Sequence, residues 1–312
     1  MGTAKPYFSK IANIWTKAQT FNLQQILKQI STPSNPSSGH NALYFKSDDK
    51  LYKLTSAGVE SEVGGTSNPV LISREDLLAY YKMNDSSGGI SNVSINDYFD
   101  SLGSNADGTE SGTPTYGQTG KIGSSISFNG VDTSFELSSS LSQWNFLHNA
   151  SALWTISFWM KLNASEPADR QSIIATHPQS GATDIGFALT FADNAGKDHQ
   201  LYVEMGNAST NGTLYTSASF VPKDTNWHHY AITCSYSGGT YTINFYRDGG
   251  NNENGTIVLT ATNSNASGSC KISNIATLDA LNAELDEFAI FNRVLSSYEL
   301  KGLYSNGDGR EL

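Results

Sequence analysis

Residues 154–162 read Trp154-Thr-Ile-Ser-Phe-Trp159-Met-Lys161-Leu162, and this stretch decides the fold. Ile156, Phe158, Met160 and Leu162 fall on one face, and Thr155, Ser157 and Lys161 on the other. A period of two marks a half-buried strand. Leu201, Val203 and Met205 alternate with Tyr202 and Glu204 in the same way, and Tyr241, Ile243 and Phe245 with Thr242 and Asn244. The connections are Gly-rich: Asp-Asn-Ala-Gly196, Ser-Gly-Gly239 and Asp-Gly-Gly250. Strands are expected over 77–83, 123–129, 133–138, 154–162, 171–176, 185–192, 199–206, 214–220, 227–235, 240–247, 256–262, 270–275 and 284–292. Many short strands with such turns and no helical units between them imply an all-β, antiparallel sandwich or barrel. Ser296 reads as the N-cap of one closing helix over 296–304.

The composition agrees. Charged residues are 15% of the 312, against roughly 25% in a typical soluble domain, while Gly, Ser, Thr and Asn are plentiful. Aromatics at 11% give material for a core and argue against disorder. The net charge of −10 is uneven: residues 1–70 carry seven Lys and four acids (+3), and residues 71–312 carry 12 basic and 25 acidic residues (−13). An acidic body repels nucleic acid, so no nucleic-acid partner is expected. No apolar run approaches the ~20 residues of a membrane span, and the first residues lack a secretory pattern. Cys234 and Cys270 follow strand periodicity and read as core-facing thiols; a disulfide would require them to lie on adjacent strands.

Residues 1–38 differ from the rest. Spacings of three and four from Leu23 through Ile26, Leu27 and Ile30, behind Asn22 as cap, predict a short amphipathic helix. Such a helix cannot bury its stripe alone, so Trp15, Phe21, Leu23, Ile26, Leu27 and Ile30 are candidate assembly residues. After a Pro/Ser linker, 42–46, 51–55 and 59–63 read as a three-stranded meander within a module of residues 39–70. A sheet this small calls for docking or self-association.

The large region, about 75–312, resembles the laminin G-like, concanavalin A-like domains. The resemblance rests on Gly120-Lys-Ile-Gly123-Ser-Ser-Ile-Ser-Phe128-Asn-Gly130 and on Thr155–Lys161 followed by Asn226-Trp227-His228-His229-Tyr230. It rests also on Leu285-Asp286-Glu287-Phe-Ala-Ile-Phe-Asn-Arg293-Val-Leu295-Ser and the turn Asp100-Ser-Leu-Gly-Ser-Asn105-Ala-Asp-Gly108. It implies a jelly-roll sandwich that binds glycans or proteins. It also implies a calcium ion, with Asp100 and Asp286 as carboxylate ligands and Asn129 and Asp107 as further oxygen donors. Glucanases share this sandwich, and Glu284-Leu-Asp286 begins their Glu-x-Asp-x-(x)-Glu pattern. The second Glu is missing, since positions 288 and 289 are Phe and Ala, and alternation puts Glu287 on the opposite face. No catalytic residues are therefore expected. His228 and His229 point to opposite faces of one strand and cannot chelate a metal together. Trp159 and Trp227 read as sheet packing ahead of a sugar platform.

Asn13-Ile-Trp15-Thr-Lys-Ala-Gln19-Thr-Phe21 is similar to segments of bacteriophage tail fibres. Pro33-Ser-Asn-Pro36-Ser-Ser-Gly39, Ala42-Leu-Tyr44-Phe-Lys46, Leu51-Tyr-Lys53 and Gly58-Val-Glu60 resemble a small β-module of phage virion proteins. Asp49 stands where that module has Gly. The resemblance implies a fibre, spike or head-decoration protein on the virion surface, made in the host cytoplasm. Its N-terminus would join other virion proteins, in a homotrimer, and its head would bind host-surface glycans. The other readings are a purely structural decoration without a glycan ligand and an accessory lectin module of a secreted protein.

Overall fold

The computed structural model describes residues 33–45, 51–62, 72, 74, 76–93, 106–138, 140–164, 169–178, 180–181, 183–194, 197–273 and 280–312. The chain divides into two compact units, Met1–Pro69 and Val70–Leu312. In the first, β1 (Asn41–Phe45), β2 (Leu51–Thr55) and β3 (Glu60–Glu62) form an antiparallel meander in that order. Tyr44 and Leu54 are buried, and the Tyr44 hydroxyl donates to Glu60. The helix expected at 22–30 and all six assembly residues, from Trp15 to Ile30, lie outside the described residues.

The second unit runs through β4 (Leu77–Tyr81), β5 (Thr109–Ser111), β6 (Thr115–Thr119), β7 (Ser124–Ser127), β8 (Ser134–Ser138) and β9 (Leu153–Leu162). It continues with β10 (Asp169–Ala175), β11 (Ile185–Asn194), β12 (Lys197–Asn207), β13 (Asn211–Tyr215) and β14 (His228–Ser237). It closes with β15 (Thr240–Arg247), β16 (Asn251–Val258), β17 (Cys270–Ile272), β18 (Ala283–Phe291) and the helix α1 (Ser297–Tyr304). One sheet has the order β13-β12-β11-β10-β17-β8-β5; the other has β16-β15-β14-β9-β18-β7-β6, with β4 paired to β18. Every strand pairing in both sheets is antiparallel. This is the expected all-β sandwich.

The core forms where the two apolar faces meet. Ile156, Phe158, Met160 and Leu162 of β9 face it, together with Leu201, Val203 and Met205 of β12 and Tyr241, Ile243 and Phe245 of β15. Phe158 stacks between Tyr230 (5.7 Å) and Phe288 (5.3 Å). Aromatic pairs of this kind add to plain area burial. The sheets also approach at the edge strands β13 and β16. A Cβ on Gly212 would sit 2.2 Å from Ile257 Cγ2, and one on Gly255 would sit 2.6 Å from Leu214 Cδ1. Glycine is required there by close approach, not by φ.

Two expected strands are displaced. Those placed at 214–220 and 256–262 lie at Asn211–Tyr215 and Asn251–Val258. Phe220, Val221 and Leu259 pack on the core from outside any strand, which is why their apolarity reads as strand. β5 and β6 were not expected. β5 is exposed throughout, and β6 carries few apolar side chains. Cys234 and Cys270 face the core from β14 and β17, in different sheets, and are free thiols. Burial pushes both thiols up, away from the thiolate form.

α1 begins with a capping box: Ser296 accepts from the Glu299 N–H, and Glu299 accepts from the Ser296 N–H. Arg293 clasps Glu299 with both guanidinium nitrogens, at 3.0 and 2.7 Å. Leu295, Leu300, Leu303 and Leu312 pack with Leu77, Tyr80, Ala231, Ala289 and Phe291 in a second apolar cluster. α1 and the C-terminal residues therefore cover part of the outer face of the β16-to-β6 sheet. Among the described residues no helix is long and apolar enough to cross a membrane.

Candidate binding site

Glu287, in the acidic run of β18, lies under that cover. Ala283, Leu285, Phe288 and Ile290 point into the core. The register with β9 shifts between Asp286 and Ala289, and Glu287 sits at φ 51°. A β-bulge places an extra residue opposite one partner and re-aims the side chains around it. Strict alternation predicted that Glu287 faces away from Asp286. The bulge corrects this: Glu287 lines a cavity on the outer face with Ser157, Trp159, His229, Ala289, Leu303, Arg310 and Leu312. The cavity holds about 10 Å³, room for no more than one water molecule.

Each β18 carboxylate has at least one partner in the fold, and Glu287 Oε1 and one Asp286 oxygen have none among the described residues. Glu284 takes the Lys161 ammonium at 2.7 Å and the Ser125 hydroxyl at 2.9 Å. Asp286 is fully buried and accepts the Ile122 N–H at 2.8 Å. Its other oxygen finds no donor, and burial pushes its pKa up to about 7. Glu287 accepts from the Tyr80 hydroxyl, which itself accepts the Leu312 N–H at 3.1 Å. Burial, with the Asp286 charge beside it, holds the Glu287 carboxyl up near 8. His229 donates or accepts on Ser157 Oγ at 2.9 Å, and burial lowers its pKa to about 4. A glycosidase needs its two carboxyls flanking an open cleft that takes a sugar ring. Here Glu287 lies beneath α1 and the C-terminal residues, whereas Glu284 and Asp286 contact β9, β7 and the Lys121–Ile122 turn.

The described calcium candidates hold separate hydrogen-bond partners. Asp107 accepts the Asn92 N–H at 2.7 Å. The Asn129 carbonyl oxygen takes three backbone N–H groups, of Val131, Asp132 and Thr133. Asp286 is spent on the Lys121–Ile122 turn. Among the described residues no group of three His, Cys, Asp or Glu is placed to hold a metal. Asp100 lies outside the described residues.

Trp159 is packing: it is buried, stacked on Tyr304 at 5.8 Å and capped by the Lys121 ammonium at 5.0 Å. Trp227 is half-buried at the end of β14, with Lys161 Nζ 5.3 Å from its ring. His228 and His229 do point apart. His228 lies between Asp248 (2.7 Å) and Asp224 (3.2 Å); burial works against its proton, but the two carboxylates outweigh it and raise the pKa.

Sequence reasoning assigned no ligand contact to the neighbouring surface of β14, β15 and β16, where Asn254 opens an Asn-Gly-Thr glycosylation sequon read as a by-product of composition. Its outward positions are Thr233 and Ser235; Thr240, Thr242, Asn244 and Tyr246; and Asn252, Asn254, Thr256 and Val258. They align across the strands as Ser235, Thr242 and Thr256, and as Thr233, Asn244 and Asn254. Thr242, Asn252, Asn254, Thr256 and Val258 are exposed, Val258 by 81%. The Asn244 amide donates to Thr233 Oγ1 at 3.1 Å. The charged residues of these strands point the other way: Glu253 accepts from Ser217, and Arg247 donates to the Phe220 carbonyl. A signal was present in the sequence, as Asn and Thr at every second position of 252–256.

Two antiparallel sheets packed face to face around an apolar core, with a closing helix on one outer face, make up the sandwich of the second unit. Residues 129–301 match the laminin G type of the concanavalin A-like lectin/glucanases superfamily, and the chain belongs to that family. No curated protein matches in sequence. Among solved structures, the binding domain of Paraclostridial Mosquitocidal Protein 1 is similar, with 17% identity and a TM-score of 0.52 over 74% of this chain and 52% of that one. So is the binding domain of botulinum neurotoxin DC, solved with rat synaptotagmin II, at 13% identity and a TM-score of 0.52 over 75% of this chain and 52% of that one. This chain spans about half the length of each. The likeness is one of fold.

Proposed function

We propose that the chain is a non-enzymatic virion surface protein, a fibre, spike or head decoration, whose sandwich binds a host-surface glycan. The observation that carries the binding reading is the commitment of Glu284, Asp286 and Glu287 to structural contacts, in a family of lectins and glucanases. With the acids spent, what the sandwich offers a ligand is surface rather than catalysis. Both solved structures named above are binding domains, one in complex with rat synaptotagmin II, and this supports a recognition role. The virion assignment rests on the similarity of residues 12–65 to phage fibre and virion modules. In this reading the N-terminal region attaches the chain to the particle and joins three copies, and weak glycan contacts gain by avidity.

The test is adsorption of labelled full-length chain to host cells before and after periodate treatment of their surface sugars. Loss of adsorption after treatment supports the reading; adsorption that survives it points to a protein receptor instead. A chain starting at Ser73 should fold but fail to join particles; its incorporation would overturn the attachment role. Calcium belongs to the proposal with Asp100, Asp286, Asn129 and Asp107 as its oxygen donors. A fall in Tm on chelation that Asp100→Ala abolishes would support it, and an unchanged Tm would retire it.

A further inference from the structure

We infer that the outward face of β14, β15 and β16 is the ligand surface of the sandwich, and that it takes a neutral, hydroxyl-rich polysaccharide strand. The inference rests on the glycan-binding reading above and assigns it a place and a ligand class.

Charge is the first argument. Residues 71–312 carry a net −13, yet beyond the part that α1 covers, where His229 and Ala231 lie, this face presents only uncharged side chains, with Thr233 buried among them. An anionic polymer would be repelled by the body around it, and a cationic partner would find no carboxylate on the face itself. A neutral ligand meets neither obstacle. Hydrogen-bonding capacity is the second. Hydroxyls and carboxamides both donate and accept, which matches sugar hydroxyls in either role. The sheet sets these groups on a grid of about 4.8 Å between strands and about 6.8 Å along each strand, so a linear polymer meets repeated contacts.

Propensity is the third. Asn is depleted in strands because it packs poorly on a pleated surface. Asn244, Asn252 and Asn254 nevertheless occupy outward strand positions, and among the described residues neither the Asn252 nor the Asn254 side chain makes a hydrogen bond. Folding does not ask for them. Local choices that conflict with the fold are expected where function demands them. Asn244 is held by Thr233 and leaves its carbonyl oxygen to accept. Tyr246, half-buried against the α1 cluster, bounds the face.

Affinity electrophoresis of the full chain tests this in gels containing soluble neutral glucan or mannan, with polygalacturonate as the acidic comparator. Retardation is expected in a neutral polymer and not in polygalacturonate. Asn252→Ala/Asn254→Ala removes exposed side chains, so Tm should hold while binding weakens about tenfold, the loss of one or two hydrogen bonds. Thr256→Glu should abolish retardation, and Trp227→Ala should leave it intact. Wild-type retardation in both face variants, loss confined to Trp227→Ala, or retardation in polygalacturonate alone would overturn the inference. So would no retardation at all. In each of these cases periodate-sensitive adsorption to host cells would keep the glycan-binding function and move its site, whereas adsorption insensitive to periodate would fail both.

Discussion

Glu287 carries the chemistry of the β18 bulge. It sits in left-handed backbone, faces Tyr80, and lies against Asp286, with Glu311 and Lys82 nearby. Its folded pKa near 8 is above its ordinary value, so the folded chain keeps a proton that the unfolded chain has released. That contribution to stability is fully present below the ordinary Glu range and is lost as pH rises through about 8. His229 works in the opposite direction, costing stability as pH falls from its ordinary range toward 4. A comparison of two chains cancels the histidine. Tm of wild type and Glu287→Gln at pH 5 and pH 8.5 should diverge in favour of the variant at the higher pH; parallel profiles would contradict the assignment. Asp286 and Glu287 were both visible as acids in a family-like motif. That one bulge turns both onto the same covered face was not visible, because alternation counts residues and a bulge adds one.

At the scale of elements, the sequence was most legible where one face is core and the other is polar. β9, β12 and β15 lie where their period of two placed them. β13 and β16 were displaced because their ends are continued by loops that also bury apolar residues. The α1 cap was readable from Ser296 and Glu299 alone. Ser296→Ala should cost about 1 kcal/mol in urea unfolding, the usual value of a lost N-cap. A cost near zero would mean that Arg293 and packing hold the turn without it. The β13–β16 approach leaves no room for a side chain at Gly212. Gly212→Val should destabilise by about 1–3 kcal/mol through overpacking against Ile257, read as a lower urea midpoint at unchanged m. The exposed Asn and Thr positions of β16 went unread for a different reason. Period-two reasoning looks for what a strand buries, and these residues matter for what it leaves open.

The molecule as a whole divides its labour. The opening +3 segment and the −13 body are different units with different chemistry, and the net −10 describes neither. The body is a sandwich of the lectin and glucanase family in which the β18 acids contact the fold around them and an uncharged part of one sheet face is left to solvent. Binding without cleavage is the central claim. The most direct measurement incubates the full chain with purified host-surface polysaccharide and follows retention of the protein and the size of the polymer together. The account predicts retained protein and a polymer of unchanged length. Shortened polymer would contradict it, as would a chain that never leaves the solution phase.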